Sequence, residues 1–336
     1  MRISVVICAY TMERWDDMVA AVSSSRAQSR PPDEVVLVID YNDALAERAR
    51  ESLPEVIVTA NRFTKGLSGA RNTGVTVSTG EVVAFLDDDA VAEPEWLEEL
   101  CRPFEDPEVA GTGGWIVPAY DDRSEPRWFP RTFLWVLGCS YDGLPPDGAA
   151  IRNPIGASMA MRREVFDRVG GFSSSLGRIG ENALGCEETE LCIRYGRASA
   201  TQRFVLARRS VVRHRVPAGR LTTRYFLARC WAEGISKAAV ASLQGADRSL
   251  AAERRHATRA LPREALDALG SVRADPLTSL RRLALVAAGL GATVAGVARG
   301  TVALRRRPLP ASRDQAAVLL GSREVHGRRP GHADDR

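Results

Sequence analysis

The chain has 336 residues, 45% of them hydrophobic and 26% charged, with a formal net charge of +4. That much apolar sequence can bury a sizeable core and excludes wholesale disorder, and a balance this near neutrality gives no case for nucleic-acid binding. The six cysteines (8, 101, 139, 186, 192 and 230) form no CxxC pair. They read as reduced, buried thiols of a cytoplasmic protein, without a zinc site. The chain opens on strand-like "RISVVICAY", not on the basic and helical apolar regions of a signal peptide.

In chain order, Ile3 to Ile7 is a β-rich apolar run, and Trp15 to Ser25 has helical spacing, with Trp15, Met18, Val19 and Val22 on one face. Val35 to Ile39 reads as a buried strand, Ala44 to Leu53 as a helix and Val56 to Thr59 as a short strand. "GLSGARNTGVTVS" is a helix opened by glycine, and Val82 to Leu86 a further strand. This alternation predicts an α/β fold with a mostly parallel sheet covered on both faces, whose ligands bind beyond the carboxyl ends of the strands. Tyr10, Asp40, Asn61 and Asp87 to Asp89 stand at such ends. From Trp115 the pattern loosens into the strands "GGWIVPAY" and "PIGASMAM", the short helix "REVFDRVGGF", the acid-opened helix "CEETELCIRYGR" and a last strand or strand pair, "RFVLARRSVVRHRV". Leu221 to Ala241 is helical, and the basic tail, 305–336, reads as disordered.

Three adjacent carboxylates, Asp87, Asp88 and Asp89, repel one another and are costly to bury. One aspartate would cap the helix "PEWLEEL"; three call for a divalent cation such as Mg²⁺ or Mn²⁺, which binds oxygen ligands and bridges to a diphosphate. Asp40 is either a turn residue or an acceptor for a base N–H or sugar hydroxyl. Arg71, in the glycine-rich "KGLSGARNTG", offers a cation to a phosphate or an anionic partner. Glu190 and Arg194 have the spacing of an ion pair on one helix face. That leaves Glu187 and Glu188 at the helix start, either as favourable first-turn acids or with one of them as a general base. His214 is a metal or phosphate ligand or a structural histidine.

"SVVICAY", "VLVID", "GLSGARNTG", "VVAFLDDDAVAEPEWL", "NPIGASMAMRREVFDRVGGF" and "CEETELCIR" resemble, in this order, the family 2 glycosyltransferases, which have the GT-A fold. The resemblance covers about residues 2 to 216, and the wording is most similar to a subgroup of glucuronosyltransferases acting on glucosyl-dolichyl phosphate. It implies a GT-A domain over 1–216, with a nucleotide-sugar half to about 115 and an acceptor half from 116. It places Ala9, Tyr10, Asp40, Asn61 and Arg71 at the nucleotide, Asp88 at the ribose, and Asp89 on the metal, with Asp87 completing a DxD motif. It places Glu188 as catalytic base, with Glu187, Trp115 and Gly156 to Ser158 around the donor sugar and acceptor; His214 is a further candidate ligand. Three residues depart from the pattern: Thr11 for an asparagine, Cys186 for a glycine, and glutamate at 188 where aspartate is usual. The absence of QxxRW implies one sugar per acceptor rather than a polymer. The expected activity is inverting, metal-dependent transfer from a nucleotide sugar, UDP favoured, to a glycan or polyprenyl-phosphate-linked hydroxyl.

A nucleotidyltransferase would carry a glycine-rich, lysine-containing loop after the first strand, where this chain has "CAYTMERW". A non-catalytic sugar-nucleotide binder would not need the acid at 188. In the helical extension, 217–304, the segment 281–304 has Leu283, Val286, Leu290, Val294 and Val297 at helical spacing with arginines at both ends. Its uncharged stretch falls short of the ~20 residues of a span, so the alternatives are a packed helix, an interfacial helix and a span. The interfacial reading puts the protein on the cytoplasmic face of a membrane, near a lipid-linked acceptor.

Overall fold

The computed structural model describes residues 1–121, 125–177, 185–199, 201–245, 253–254, 256–307, 309 and 318. In chain order the elements are β1 (Ile3–Ala9), α1 (Trp15–Arg26), β2 (Glu34–Ile39), α2 (Asp43–Ser52), β3 (Ile57–Ala60), α3 (Leu67–Val77), β4 (Val82–Asp87), β5 (Ala90–Ala92), α4 (Trp96–Cys101) and β6 (Val109–Tyr120). They continue with β7 (Ala150–Ile151), β8 (Ser158–Arg162), α5 (Arg163–Val169), α6 (Glu187–Ala198), β9 (Arg203–Val216), α7 (Thr223–Gln244), α8 (Leu261–Gly270) and α9 (Pro276–Arg306). The segment "RFVLARRSVVRHRV" is thus one strand. The disorder expected for 305–336 concerns residues that lie almost entirely outside those described.

The sheet runs β3-β2-β1-β4-β8-β6-β9-β5, with β7 paired to β9. β1 to β4 are mutually parallel, β8 runs against β4 and β6, and β9 lies parallel to β6. This is the GT-A arrangement implied by the sequence. Strand parity sorts the core: Ile3, Val5, Ile7, Leu37, Val82, Ala84 and Leu86 face one layer, and Val6, Val36, Val38, Val83 and Phe85 the other. The first layer is closed by α1, α2 and α4 and extends through Phe129 and Phe133 to Phe226 of α7 and Leu285 and Val286 of α9. The second is closed by α3, α5 and α6. Both faces being covered, the central strands are continuous apolar runs.

Two consequences position the site. With β1 beside β4, the ends of both strands, Tyr10 and Asp87 to Asp89, open at the same edge. β5 pairs with β9 so that Ala90 faces His214, which draws that histidine to the acid cluster from more than a hundred residues away. Helix α9 packs along α7 at backbone distance: a Cβ on Gly296 would lie 2.3 Å from the Trp231 carbonyl oxygen, and one on Gly234 2.2 Å from that of Thr293. Glycine is required at both positions for this approach.

Candidate active site

The acid cluster grows out of β4. Asp87 is its last residue and the most open of the three aspartates, with a side chain 28% exposed. Asp88 and Asp89 are buried. Three protein cations surround them. Arg14, on the turn after β1, contacts Asp88 Oδ1 at 3.1 Å and Asp89 Oδ2 at 3.2 Å. Arg220, after β9, reaches Asp89 Oδ2 at 3.3 Å, and His214 Nε2 sits 3.1 Å from Asp89 Oδ1. Burial alone would raise the Asp89 pKa, but His214, Arg14 and Arg220 hold it well below the usual carboxylate range. Burial, followed by the Asp89 charge, pushes Asp88 up to about 7. Burial opposes the charge on His214, yet Asp89 raises the imidazole to about 10. The repulsion that the sequence assigns to a metal is therefore balanced here in large part by side chains.

The cluster also fits a divalent cation. Ligand atoms of Asp87, Asp89 and His214 lie within 4.8 Å of one another, and two carboxylates with one imidazole suit Mn²⁺ or Mg²⁺. The buried Asp88 Oδ2 has no partner among the described residues and is free to accept a hydroxyl. Loading a metal requires His214 to give up its proton, because a protonated imidazole has no lone pair to donate.

Across the cleft, α6 begins at Glu187 directly after Cys186, which has a φ of +72°. This left-handed conformation favours glycine, the residue that Cys186 replaces in the sequence pattern. The turn sends both glutamates inward. Glu187 is buried, and its Oε1 accepts from Arg71 Nη1 at 2.7 Å. Its Oε2 is buried without a partner among the described residues. Glu188 is partly buried, and burial first, then the Glu187 charge, pushes its pKa up to about 8. Glu190 and Arg194 pair at 2.9 Å, as their spacing implies.

Arg71, expected to offer its cation to a phosphate or an anionic partner, is paired with carboxylates and still lines the cleft. It is 2% exposed, and its guanidinium donates to Glu187 and, from Nη2, to the Gly156 carbonyl at 3.1 Å and Asp87 Oδ1 at 3.4 Å. A Cβ at Gly156 would come within 2.5 Å of Nη2, so glycine there makes room for the bridge. Asp40 accepts from Gly66 N at 3.0 Å and Asn61 Nδ2 at 2.7 Å, while Asn61 Oδ1 accepts from Phe63 N and Thr73 Oγ1. The Asn61 amide thus builds the loop before α3. Ala9 accepts from Asp40 N through its carbonyl, and Tyr10 is exposed beside Arg14.

Asp87, Arg71, Gly156, Ala157, Glu187, Glu188, His214 and Arg220 line one cavity of about 540 Å³. Phe133, Trp135, Tyr225, Leu261 and Leu290 line the same cavity, together with the charged Arg152, Glu233, Lys237 and Glu253. Two of the residues expected around the donor sugar and acceptor are not part of its lining. Ser158 Oγ is buried and accepts the Trp96 indole N–H at 2.9 Å, and Trp115 lies under the Arg208 guanidinium, 4.0 Å from its ring centroid. Ala9, Tyr10, Asp40 and Asn61 gather at the ends of β1 to β3, beside this cavity rather than in its walls. Arg14 and Arg220 were not singled out by the sequence; their signal is a basic residue in each loop that follows a site-bearing strand.

Residues 4–170 match the profile of glycosyl transferase family 2. The chain is similar to the glucosyl-dolichyl phosphate glucuronosyltransferase of Haloferax volcanii, with 33% identity over 241 residues that cover 70% of this chain and 76% of that protein. The pre-mycofactocin glycosyltransferase of Mycobacterium tuberculosis is 28% identical over 173 residues, 50% of this chain and 35% of its own. Among solved structures, the mannosyltransferase PcManGT of Pyrobaculum calidifontis, in complex with GDP-Man and Mn²⁺, superposes with a TM-score of 0.49 at 19% identity, covering 98% of this chain and 81% of that one. The profile match and the extent of the Haloferax likeness together make this chain a member of glycosyl transferase family 2.

Proposed function

We propose that the chain transfers a single hexosyl or glucuronosyl group, with inversion, from a nucleoside diphosphate sugar, UDP-linked by preference, to a hydroxyl of a glycan or lipid-linked acceptor. The observation that carries this reading is the Arg71 bridge. One buried guanidinium joins Asp87 to Glu187, so the acid cluster and the start of α6 face each other across the cavity that Glu188 also lines. Tyr10, Asp40 and Asp88 hold the nucleoside at the ends of β1, β2 and β4. Asp87, Asp89 and His214 would hold Mn²⁺ or Mg²⁺, which would supply positive charge to offset that of the leaving diphosphate. Gly156 and Ala157 border the donor sugar, and Glu188 takes the proton of the attacking acceptor hydroxyl. Residues 1–216 carry this machinery, and the helices that follow supply the wall on the acceptor side, where Tyr225, Leu261 and Leu290 stand beside Glu233 and Lys237. Contact with the cytoplasmic face of a membrane belongs to the same reading, because it brings a lipid-linked acceptor to that wall.

The first test is thermal unfolding with UDP and GDP, each with and without Mn²⁺. A nucleotide that binds only the folded protein adds about 2.7 kcal/mol at a hundredfold excess over Kd, a rise of several degrees in Tm. The rise is expected only with the metal present and is expected to vanish in Asp87→Asn, which removes the ligand's charge while keeping an oxygen that can accept from Arg71. Metal-independent shifts of equal size would remove the metal from the proposal.

The pH dependence follows from Glu188. Its carboxyl is protonated in the free enzyme below about 8, and only the carboxylate can accept a proton. kcat/KM is therefore expected to rise tenfold per pH unit on the acid side and to level off near pH 8. A plateau already reached at pH 6 would exclude Glu188 as the base.

A further inference from the structure

Helix α9 has two unlike sides. Its inner side, with Leu285, Val286, Gly289, Gly296 and Gly300, is buried against α7 and the aromatic cluster of Phe133 and Phe226. Its outer side repeats an apolar residue at three- and four-residue steps along the whole helix. Leu277 is 81% exposed, Leu280 57%, Val294 60% and Val302 47%, and the exposed positions between them, 284, 287, 291 and 298, are alanine or glycine. Arg281, Arg299 and Arg306 are exposed and fall on one edge of this stripe, since eighteen residues make five turns and twenty-five make close to seven. From Pro276 to Arg313 the sequence contains no acid.

We infer that the outer side of α9 is a docking surface for an anionic lipid bilayer, and that the helix lies along the membrane without crossing it. By length and composition α9 could cross: it has 31 residues, about 46 Å of helix. Its inner side forbids this, because it is fixed at backbone distance to α7, and α7 carries Arg229, Glu233 and Lys237, which cannot enter hydrocarbon without large cost. An apolar stripe edged by arginines, with no acid to repel lipid phosphates, has the chemistry of an interfacial helix on an anionic surface. Leu290 of the same helix also lines the cavity, so the docked surface borders the acceptor wall. The inference rests on the membrane contact proposed above and specifies its face, orientation and charge.

The test uses the full chain with vesicles of phosphatidylcholine, alone or mixed with phosphatidylglycerol. Flotation is expected with the anionic vesicles and much less with the neutral ones. Arg299→Glu and Arg306→Glu are each expected to weaken it by at least roughly fivefold, about 1 kcal/mol per basic residue near the surface. Depth distinguishes lying from crossing. Nitroxides placed at Leu280→Cys and Val294→Cys, where the native cysteines are buried or half-buried, report oxygen accessibility at two points about 21 Å apart along the axis. Equal shallow depth supports the inference. Depths differing by most of that length, equal binding to both vesicle types, or no flotation would each overturn it. The Mn²⁺-dependent nucleotide shift, measured on the same variants, separates the two readings: a retained shift without flotation removes only the docking surface, and flotation without a shift removes only the transferase.

Discussion

Glu188→Gln is expected to leave a folded protein that binds nucleotide and metal but transfers sugar ~10²–10⁴-fold more slowly, the usual effect of losing a general base. The substitution keeps the side chain's size and removes only its ability to take a proton. Its effect should therefore appear in kcat, with the donor-induced thermal shift unchanged. Stability provides an independent check of sign. The Glu188 pKa is raised in the folded protein, so the native state binds the proton more tightly than the unfolded chain does. The wild-type protein accordingly loses stability as pH rises from the ordinary carboxylate range through about 8. Glu188→Gln lacks that loss and should match the wild type only below the ordinary carboxylate range, melting progressively higher up to about pH 8 and by a constant margin at pH 9. Glu188→Asp should keep part of the activity, since it preserves the proton chemistry and shortens only the reach. An inactive Glu188→Gln that has also lost its nucleotide shift would point to a misfolded cleft rather than a missing base.

The parallel half of the fold was readable because its strands are short, mostly apolar runs that end on a polar residue. Val82 to Leu86 closing on Asp87 is the clearest case, and Asp40 and Tyr10 follow the same rule. Residues whose direction depends on strand parity or register were less accessible. Ser158 begins β8 with its hydroxyl turned towards Trp96, and Trp115 stands at a register shift in the β6–β9 ladder, where simple alternation fails. The carboxylate partners of Arg71 were hidden for another reason. That arginine lies on a helix whose residues from Ser68 to Val75 are all buried, so no side chain there reaches open solvent. Of the cations around Asp88 and Asp89, only His214 stood out in the sequence, as a candidate ligand. His214 and Arg220 arrive because β5 pairs with β9, a contact between segments more than a hundred residues apart, and Arg14 because β1 pairs with β4.

Arg71→Met is expected to destabilise the protein by roughly 3–5 kcal/mol, because it leaves the buried Glu187 charge uncompensated. For a chain of this size that is on the order of ten degrees in Tm. Oε1 of Glu187 would lose its partner, Oε2 has none among the described residues, and the Gly156 carbonyl would lose its donor as well. Arg71→Lys should recover little, since one ammonium on a flexible stem cannot reproduce the planar fork that reaches Asp87, Gly156 and Glu187 together. The double variant Arg71→Met with Glu187→Leu should restore most of the stability, because replacing both members of a buried pair removes the stranded charge. The double-mutant cycle thus measures coupling across the cleft and not packing alone. Activity should not return with stability if the bridge aligns the two halves of the site. In Arg71→Met, moreover, Glu188 loses a cation that lowers its pKa, so the rising limb of the pH–rate profile should move to higher pH. A double variant with both wild-type stability and wild-type turnover would show that the bridge only neutralises charge and that the cleft is held in register by the sheet alone.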